Sequence, residues 1–326
     1  LVLAALIALA GCGVKKEKTA APSPQRFDLV LDFFPNADHV GLYAGIADGS
    51  FRHEGLDVRP RTPADPAEPL KLVAAGQADL AISYEPELLL ARDRGLQLVS
   101  VGAIVRRPLT SIIALGDKKI HNIADLKGKR VGTAGIPYQS AYLKTILQRA
   151  NIDPATVRET SVGFNLVPAM LAGKVDATLG GFWNYEGVQL SLQKKSPTVI
   201  RVDQAGVPTY DELVLVARRD ELRKHGGEIR RFMRALARGY ESARANPQRA
   251  VDALVKASPG LDRKLQLASV QATLPAFFPP GSRPFGFQEP RLWVAYGDWM
   301  LRNQLVKRPP NAGAALTNEF LPGQGV

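Results

Sequence analysis

The sequence predicts a bilobal α/β protein, and three observations carry that prediction. From residue 26 onward, short apolar strand-like runs alternate with helix-like segments, and the same rhythm restarts after Asp117. Such alternation builds βαβ units on a largely parallel sheet. Two segments also resemble each other: LKLVAAGQADLAI (70–82) and VPAMLAGKVDATL (167–179) each run an apolar helix into Ala-Gly, then through Asp into a strand. Glycine there suits the left-handed cap that ends a helix. Finally, 110–115 (TSIIAL) and 212–217 (ELVLVA) are extended, apolar and β-branched, and lie where the chain must leave and re-enter a lobe. A length of 326 residues agrees with two domains rather than one.

Taken in order, the first lobe opens with a strand over 27–33, a helix from Asp38, a strand over 56–59, a helix from Ala67 and a strand over 78–83. The second repeats the series: a strand over 130–133, a helix from Tyr138, a strand over 159–162, a helix from Leu166 and a strand over 177–181. With the two extended segments as crossovers, lobe 1 is expected over 26–114 and 213–326 and lobe 2 over 115–212. A cleft then lies between the lobes, with hinge closure around a ligand as the expected motion. Beyond Asp220 the chain reads as mainly helical, with 271–290 as an irregular loop before a last helix through Trp293 and Trp299.

Ahead of the lobes, LVLAALIALAGC forms a ten-residue apolar run ending in small residues, which matches the h-region and cleavage site of a secretory signal and is too short to span a membrane. No basic n-region or initiator Met precedes Leu1, so the leader is expected to begin further upstream. Leu9-Ala10-Gly11-Cys12 resembles the lipobox of bacterial lipoproteins, which implies a diacylglyceryl group on Cys12 and a leader over 1–12. Cys12 is the only cysteine, so no intramolecular disulfide can form. Residues 13–25, rich in Lys, Ala, Pro and Ser, read as a flexible tether.

The net charge of +11 does not signal nucleic acid. In the densest basic run, 218–249, Ile229, Phe232, Met233, Leu236 and Tyr240 recur at helical spacing, so the arginines form the solvated face of an amphipathic helix. No aromatic-basic or zinc-finger signature accompanies them. Four histidines at 39, 53, 121 and 225 lack metal-ligand spacing, and there is no nucleophile elbow and no phosphate-binding glycine loop. Binding without chemistry and without a cofactor is the simpler expectation, in a monomer.

In open α/β sheets, ligands sit at the carboxyl ends of strands. The loops there are LDFFPNADHVGLYAG (31–45), Ser83-Tyr84-Glu85-Pro86, Gly135-Ile136-Pro137-Tyr138, Gly163-Phe164-Asn165 and Gly181-Phe182-Trp183-Asn184-Tyr185-Glu186. They supply π-faces, amides and carboxylates, a mix that suits a planar heteroaromatic with exocyclic amines. Phe33, Tyr84 or Trp183 would stack, Asp32, Glu186 or Glu212 would accept N–H bonds, and Asn36 or Asn165 would meet ring nitrogens. His39, Tyr43, Ser83, Glu85, Tyr138, Asn184 and Tyr210 complete the candidate set. Structural alternatives stand beside these: Phe33 as core at a strand end, Asn36 as a turn former, His39 as a helix-start hydrogen-bonding residue, Tyr43 as packing and Glu212 as the partner of buried donors.

The stretches LDFFPNADHVGLYAG, AAGQADLAISYEPELLLARDRG, DLKGKRVG, VPAMLAGKVDATLGGFWNYE and PTYDELVLV, within 27–260, resemble the NMT1/THI5-like family of periplasmic-type solute-binding proteins. That family includes carriers of formylaminopyrimidine and the fungal pyrimidine synthase of thiamine biosynthesis. The resemblance implies a type II periplasmic-binding-protein fold, two Rossmann-like lobes joined by a two-segment hinge, with an ABC permease as partner and an extracytoplasmic location. It also implies a small heteroaromatic solute, a thiamine pyrimidine precursor, with riboflavin or an alkanesulfonate as alternatives. The enzyme of the family uses a lysine and a histidine at positions that here hold Ser83 and Glu87, and its cysteine-rich motif is absent. That chemistry cannot run on these residues.

Overall fold

The computed structural model describes residues 24–281 and 283–323. The leader over 1–12 with Cys12, and all but the end of the expected tether, lie outside the described residues. Gln25, expected in the tether, already pairs with Leu56 in a sheet.

Among the described residues, ten strands form two sheets. The first contains β1 (Gln25–Val30), β2 (Leu56–Arg61), β3 (Leu80–Ser83), β4 (Leu98–Val105) and β10 (Leu213–Arg218), in the order β2-β1-β3-β10-β4. The second contains β5 (Thr110–Ala114), β6 (Arg130–Thr133), β7 (Arg158–Ser161), β8 (Ala177–Phe182) and β9 (Thr198–Arg201), in the order β7-β6-β8-β5-β9. The two orders are the same pattern. In each sheet the fourth strand runs antiparallel to both neighbours, β10 between β3 and β4 and β5 between β8 and β9. In each case that strand follows directly on a crossing between lobes.

This topology corrects one boundary. Residues 110–114, expected at the end of lobe 1, pair as β5 inside the second sheet, so the first crossover is shorter and lies at 106–109. The segment passed for a connector because its apolar, β-branched character is equally that of a central strand buried on both faces. β3, β4 and β5 are indeed buried at every residue. A second difference lies at 271–290, where the helix Arg263–Phe277 continues through Pro275 before irregular chain begins. A proline inside a helix removes one backbone bond but need not end it.

Expected helix caps are in place. Gly76 and Gly173, the glycines of the two similar segments, have φ of 72° and 65°. The basic helix Gly226–Ala245 buries Ile229, Phe232, Met233, Leu236 and Tyr240 against lobe 1 and leaves its arginines outward, where Arg234 and Arg238 both pair with Glu54. Its packing on Val40–Ala47 is backbone-close: a Cβ on Gly239 would lie 2.0 Å from the Gly41 carbonyl oxygen. This contact seats the start of Val40–Ala47, and with it the loop after β1, at the mouth of the cleft.

Candidate functional site

Between the lobes, the carboxyl ends of β1, β3 and β8 converge on a narrow inner chamber of about 20 Å³ free volume. Lobe 1 contributes Asp32, Phe33, Asn36 and Tyr84; lobe 2 contributes Tyr138, Gln139, Phe182, Tyr185 and Glu186. Tyr84 and Tyr138 approach across the cleft with ring centroids 5.6 Å apart, and Phe182 stands edge-on to Tyr84 at 6.5 Å. The walls are therefore aromatic and the polar groups few, as a small-molecule site requires.

Asp32 is the most organised of those polar groups. The Asn36 N–H donates to His39 Nδ1 at 3.2 Å, which makes Nε2 the protonated nitrogen, and Nε2–H donates to Asp32 Oδ1 at 2.8 Å. Tyr84 O–H donates to Asp32 Oδ2, also at 2.8 Å. Each oxygen keeps a second lone pair for a further donor. Asn36 is held in the turn: its Oδ1 accepts the Asp38 N–H and its Nδ2 donates to the Phe34 carbonyl, which leaves one lone pair and one N–H on the amide.

Glu186, opposite, accepts the Phe182 N–H on Oε2 at 2.7 Å. Burial pushes its pKa up to about 7. Gln139 braces the floor by accepting the Ala134 N–H, and lies so near Gly180 that a Cβ there would sit 2.4 Å from Nε2. Gly180 has φ of +114°, so both space and conformation require glycine.

An outer chamber of about 290 Å³ adjoins the inner one and shares Phe33, Asn36, Leu166, Tyr185 and Glu186 with it. Its rim is a cross-cleft aromatic clasp in which Phe33 and Phe34 meet Phe164 with centroids 4.7 and 4.4 Å apart.

Of the residues singled out in the sequence, Asp32, Phe33, Asn36, Tyr84, Tyr138 and Glu186 line the inner chamber. His39 stands directly behind it. The others lie elsewhere. Trp183 Nε1–H donates to the Pro108 carbonyl at 3.0 Å, with Arg201 stacked on its ring, so it braces the first crossover. Asn184 donates to Asp38 Oδ1 and Thr273 Oγ1, both at 2.7 Å, which ties lobe 2 to two elements of lobe 1. Burial holds the Asp38 pKa well above the usual carboxylate range. Tyr43 is buried and Asn165 exposed, and neither lines a chamber.

Ser83 donates to Glu87 Oε2 at 2.6 Å in a buried pair. Glu85 accepts the Asp211 N–H, and Tyr210 and Glu212 belong to the hinge. Glu212 accepts from Leu109 N–H, Thr110 N–H, Thr110 O–H and Tyr210 O–H. The buried carboxylate that suggested a ligand donor is thus answered by protein donors. Sequence reasoning passed over Gln139, Phe182 and Tyr185, although the last two lie in a loop it had marked. Among the described residues no group of His, Cys, Asp and Glu could hold a metal ion, and no helix is long and apolar enough to cross a membrane.

Two like-folded lobes, each taking its antiparallel strand just after a crossover and closing over an aromatic slot, define a periplasmic-binding-protein fold. The alkanesulfonate-binding protein SsuA of Xanthomonas axonopodis has that fold with a TM-score of 0.71 at 17% identity, over 91% of this chain and 99% of its own. The chain belongs to the NMT1/THI5-like family, whose model matches residues 36–250. It is 33% identical over 97% of each chain to a formylaminopyrimidine-binding protein of Halalkalibacterium halodurans. It is also 35% identical to a putative thiamine biosynthesis protein of Haemophilus influenzae, over 77% of this chain and 80% of that protein.

Proposed function

We propose that this protein is the extracytoplasmic solute-binding component of an ABC importer, and that it captures a thiamine pyrimidine precursor, formylaminopyrimidine or hydroxymethylpyrimidine, without transforming it. One observation carries the reading: the inner chamber is lined by aromatic rings and two carboxyl side chains, Asp32 and Glu186, with no lysine, arginine or histidine in its lining. A carboxylate accepts the N–H groups of an aminopyrimidine, and tyrosine and phenylalanine faces stack on its ring. A sulfonate is best matched by cationic groups, and no lysine or arginine stands in this lining.

Support for binding without turnover comes from Ser83 and Glu87, which the family resemblance sets at the positions of the enzyme's lysine and histidine and which hydrogen-bond to each other. The lipid anchor at Cys12 is part of the same proposal, as is delivery to a permease. In this scheme, the two crossovers bend, the lobes close on the ring and Asp32 and Glu186 take its donors.

Titration calorimetry of residues 24–326 with formylaminopyrimidine, hydroxymethylpyrimidine, riboflavin and taurine tests the reading. A saturable exothermic response to a pyrimidine, weakened about tenfold or more in Glu186→Gln, is the expected result. Binding of taurine alone would sink it.

A further inference from the structure

One contact across the cleft is a hydrogen short. Asn184 of lobe 2 donates through Nδ2 to Asp38 Oδ1 and Thr273 Oγ1 of lobe 1, and all three side chains are fully buried. Thr273 donates its own O–H to the Ser269 carbonyl, so it meets Asn184 as an acceptor only. Asp38 is fixed at its main chain as well, where its N–H reaches Asn36 Oδ1 and its carbonyl accepts the Tyr240 O–H. Two oxygens of the pair remain without a donor, Asp38 Oδ2 and Asn184 Oδ1.

An ionised Asp38 would leave both oxygens as unanswered acceptors and hold its charge in a buried seam on a single N–H. Glu212, by comparison, has four donors. A proton on Asp38 Oδ2 supplies the missing donor: the acid O–H turns to Asn184 Oδ1 while the amide N–H stays on Asp38 Oδ1, and both shortfalls close at once. Around Asp38 stand Asp32 and His39 from its own loop, Tyr185 and Glu186 beyond Asn184, Glu212 in the hinge and Tyr240 of Gly226–Ala245. The His39 ring is engaged with Asp32. The helix Arg263–Phe277 brings Gln266, Ser269 and Thr273, and Pro247–Ala257 buries Ala250, Val251 and Leu254, none of them charged. Burial and the carboxyl groups of Asp32, Glu186 and Glu212 raise the Asp38 pKa, and the Asn184 N–H opposes them.

We propose that Asp38 is a positioning residue for lobe closure: as the protonated acid it pairs with Asn184 of the opposite lobe, and so sets Tyr185 and Glu186, the next two residues, at the cleft wall. Tyr185 is held on the same seam by Gln266, whose Nε2 donates to its hydroxyl at 3.0 Å. This role rests on the reading above only in that the lobes close on a solute. When they part, Asn184 leaves, water reaches Asp38 and its carboxyl returns toward the ordinary carboxylate range. Closure therefore takes up a proton. Between the ordinary and the raised value, the ratio of closed to open molecules falls as pH rises, by up to about tenfold per pH unit.

Spin labels at Ala47→Cys in lobe 1 and Ala172→Cys in lobe 2, both exposed, report the distance between lobes in residues 24–326, a stretch with no native cysteine. Without added solute, the closed fraction is expected to fall from pH 5 to pH 8. Asp38→Asn keeps a donor for Asn184 Oδ1 and an acceptor for its N–H, so it should stay closed at pH 8. The slope of log(closed/open) against pH should drop by up to about one in that variant, and what is left belongs to Glu186 and Glu212. Asn184→Ala removes the partner from the other lobe and should open at both pH values. Calorimetry of formylaminopyrimidine at pH 7, in buffers of different ionisation enthalpy, should show more proton uptake on binding in the unmodified protein than in Asp38→Asn, by up to about one proton. Equal distances at pH 5 and 8 in the unmodified protein, or an unchanged slope in Asp38→Asn, overturn the role given to Asp38 and leave the pyrimidine reading intact. Absence of formylaminopyrimidine binding counts against that reading, and the distances still decide the role of Asp38.

Discussion

Glu212 in the second crossover accepts the backbone N–H groups of Leu109 and Thr110 in the first, at 2.6 and 2.8 Å. One side chain thereby pins both strands of the hinge. Replacing it with alanine leaves two buried N–H groups and the Thr110 hydroxyl without their acceptor, at about 1–3 kcal/mol for each uncompensated group. Glu212→Ala is expected to lower stability by about 3 kcal/mol or more in urea denaturation. Glu212→Gln keeps an acceptor for the two N–H groups and a donor for the threonine oxygen, and should cost under about 1.5 kcal/mol. Equal losses in the two variants would show that the acceptor geometry does not matter.

Tyr84 holds Asp32 from one side and His39 from the other. In Tyr84→Phe the ring stays and one hydrogen bond goes, so folding stability should fall by about 1 kcal/mol and pyrimidine affinity by about five- to tenfold, because Asp32 can rotate away from the ligand. Thermal unfolding and calorimetry, run side by side, separate the two effects. A large stability loss with affinity unchanged would make Tyr84 a structural residue only.

Burial raises the pKa of Glu87, Glu186 and Glu212 from 4.5 to about 7 each, and that of Asp211 from 3.8 to about 6. Between the ordinary and the raised value, the folded state holds protons that the unfolded chain has released. Stability is therefore greatest at the acid end of that window and is lost as pH rises through 6 to 7, at up to about 1.4 kcal/mol per pH unit for each group. At the other end, Arg130 holds Asp176 down to about 2, so the stability from that pair is lost as pH falls from about 4. Urea midpoints measured from pH 3 to 8 in about 0.3 M salt, which screens the +11 surface, should peak between pH 4 and 5. A flat profile from 5 to 8 would mean that these carboxyl groups are not buried as the structure has them.

Gly180→Ala tests the floor of the inner chamber. A methyl group there meets Gln139 and forces φ out of the left-handed region, so a loss of about 2–3 kcal/mol is expected, with ligand binding weakened as the Gln139 brace is displaced. Gln139→Ala in the same background removes the clash but not the strain. Partial recovery of stability in the double variant is the signature.

How much of this was legible in the sequence varied with the range of the interaction that decides it. The alternation of elements, the Gly76 and Gly173 caps and the buried stripe of Gly226–Ala245 are local, and reading the chain in order found them. Strand partnership is not local. Residues 110–114 look like a connector until β8 and β9 are placed on either side, and Glu212 looks like a ligand group until Leu109 and Thr110, about a hundred residues away, supply donors. Within GFWNYE the loop was recognisable as a cleft loop, but its facing was not. β8 runs to Phe182 and a helix starts at Glu186, so Phe182, Tyr185 and Glu186 turn inward while Trp183 goes to the crossover and Asn184 to Asp38.

The position of β10 has a bearing on how the chain acquires its structure. The second sheet draws all five strands from a continuous stretch, 110–201, and can close as soon as that stretch is available. The first sheet cannot: β3 and β4 have no direct pairing, and the strand that joins them is made only after the whole of the other lobe. For a polypeptide emerging amino end first, the lobe that begins the sequence is therefore the last to be finished, and its long-range closure is the slow step. A chain built this way keeps its first sheet open until β10 has emerged, although the second sheet is by then complete.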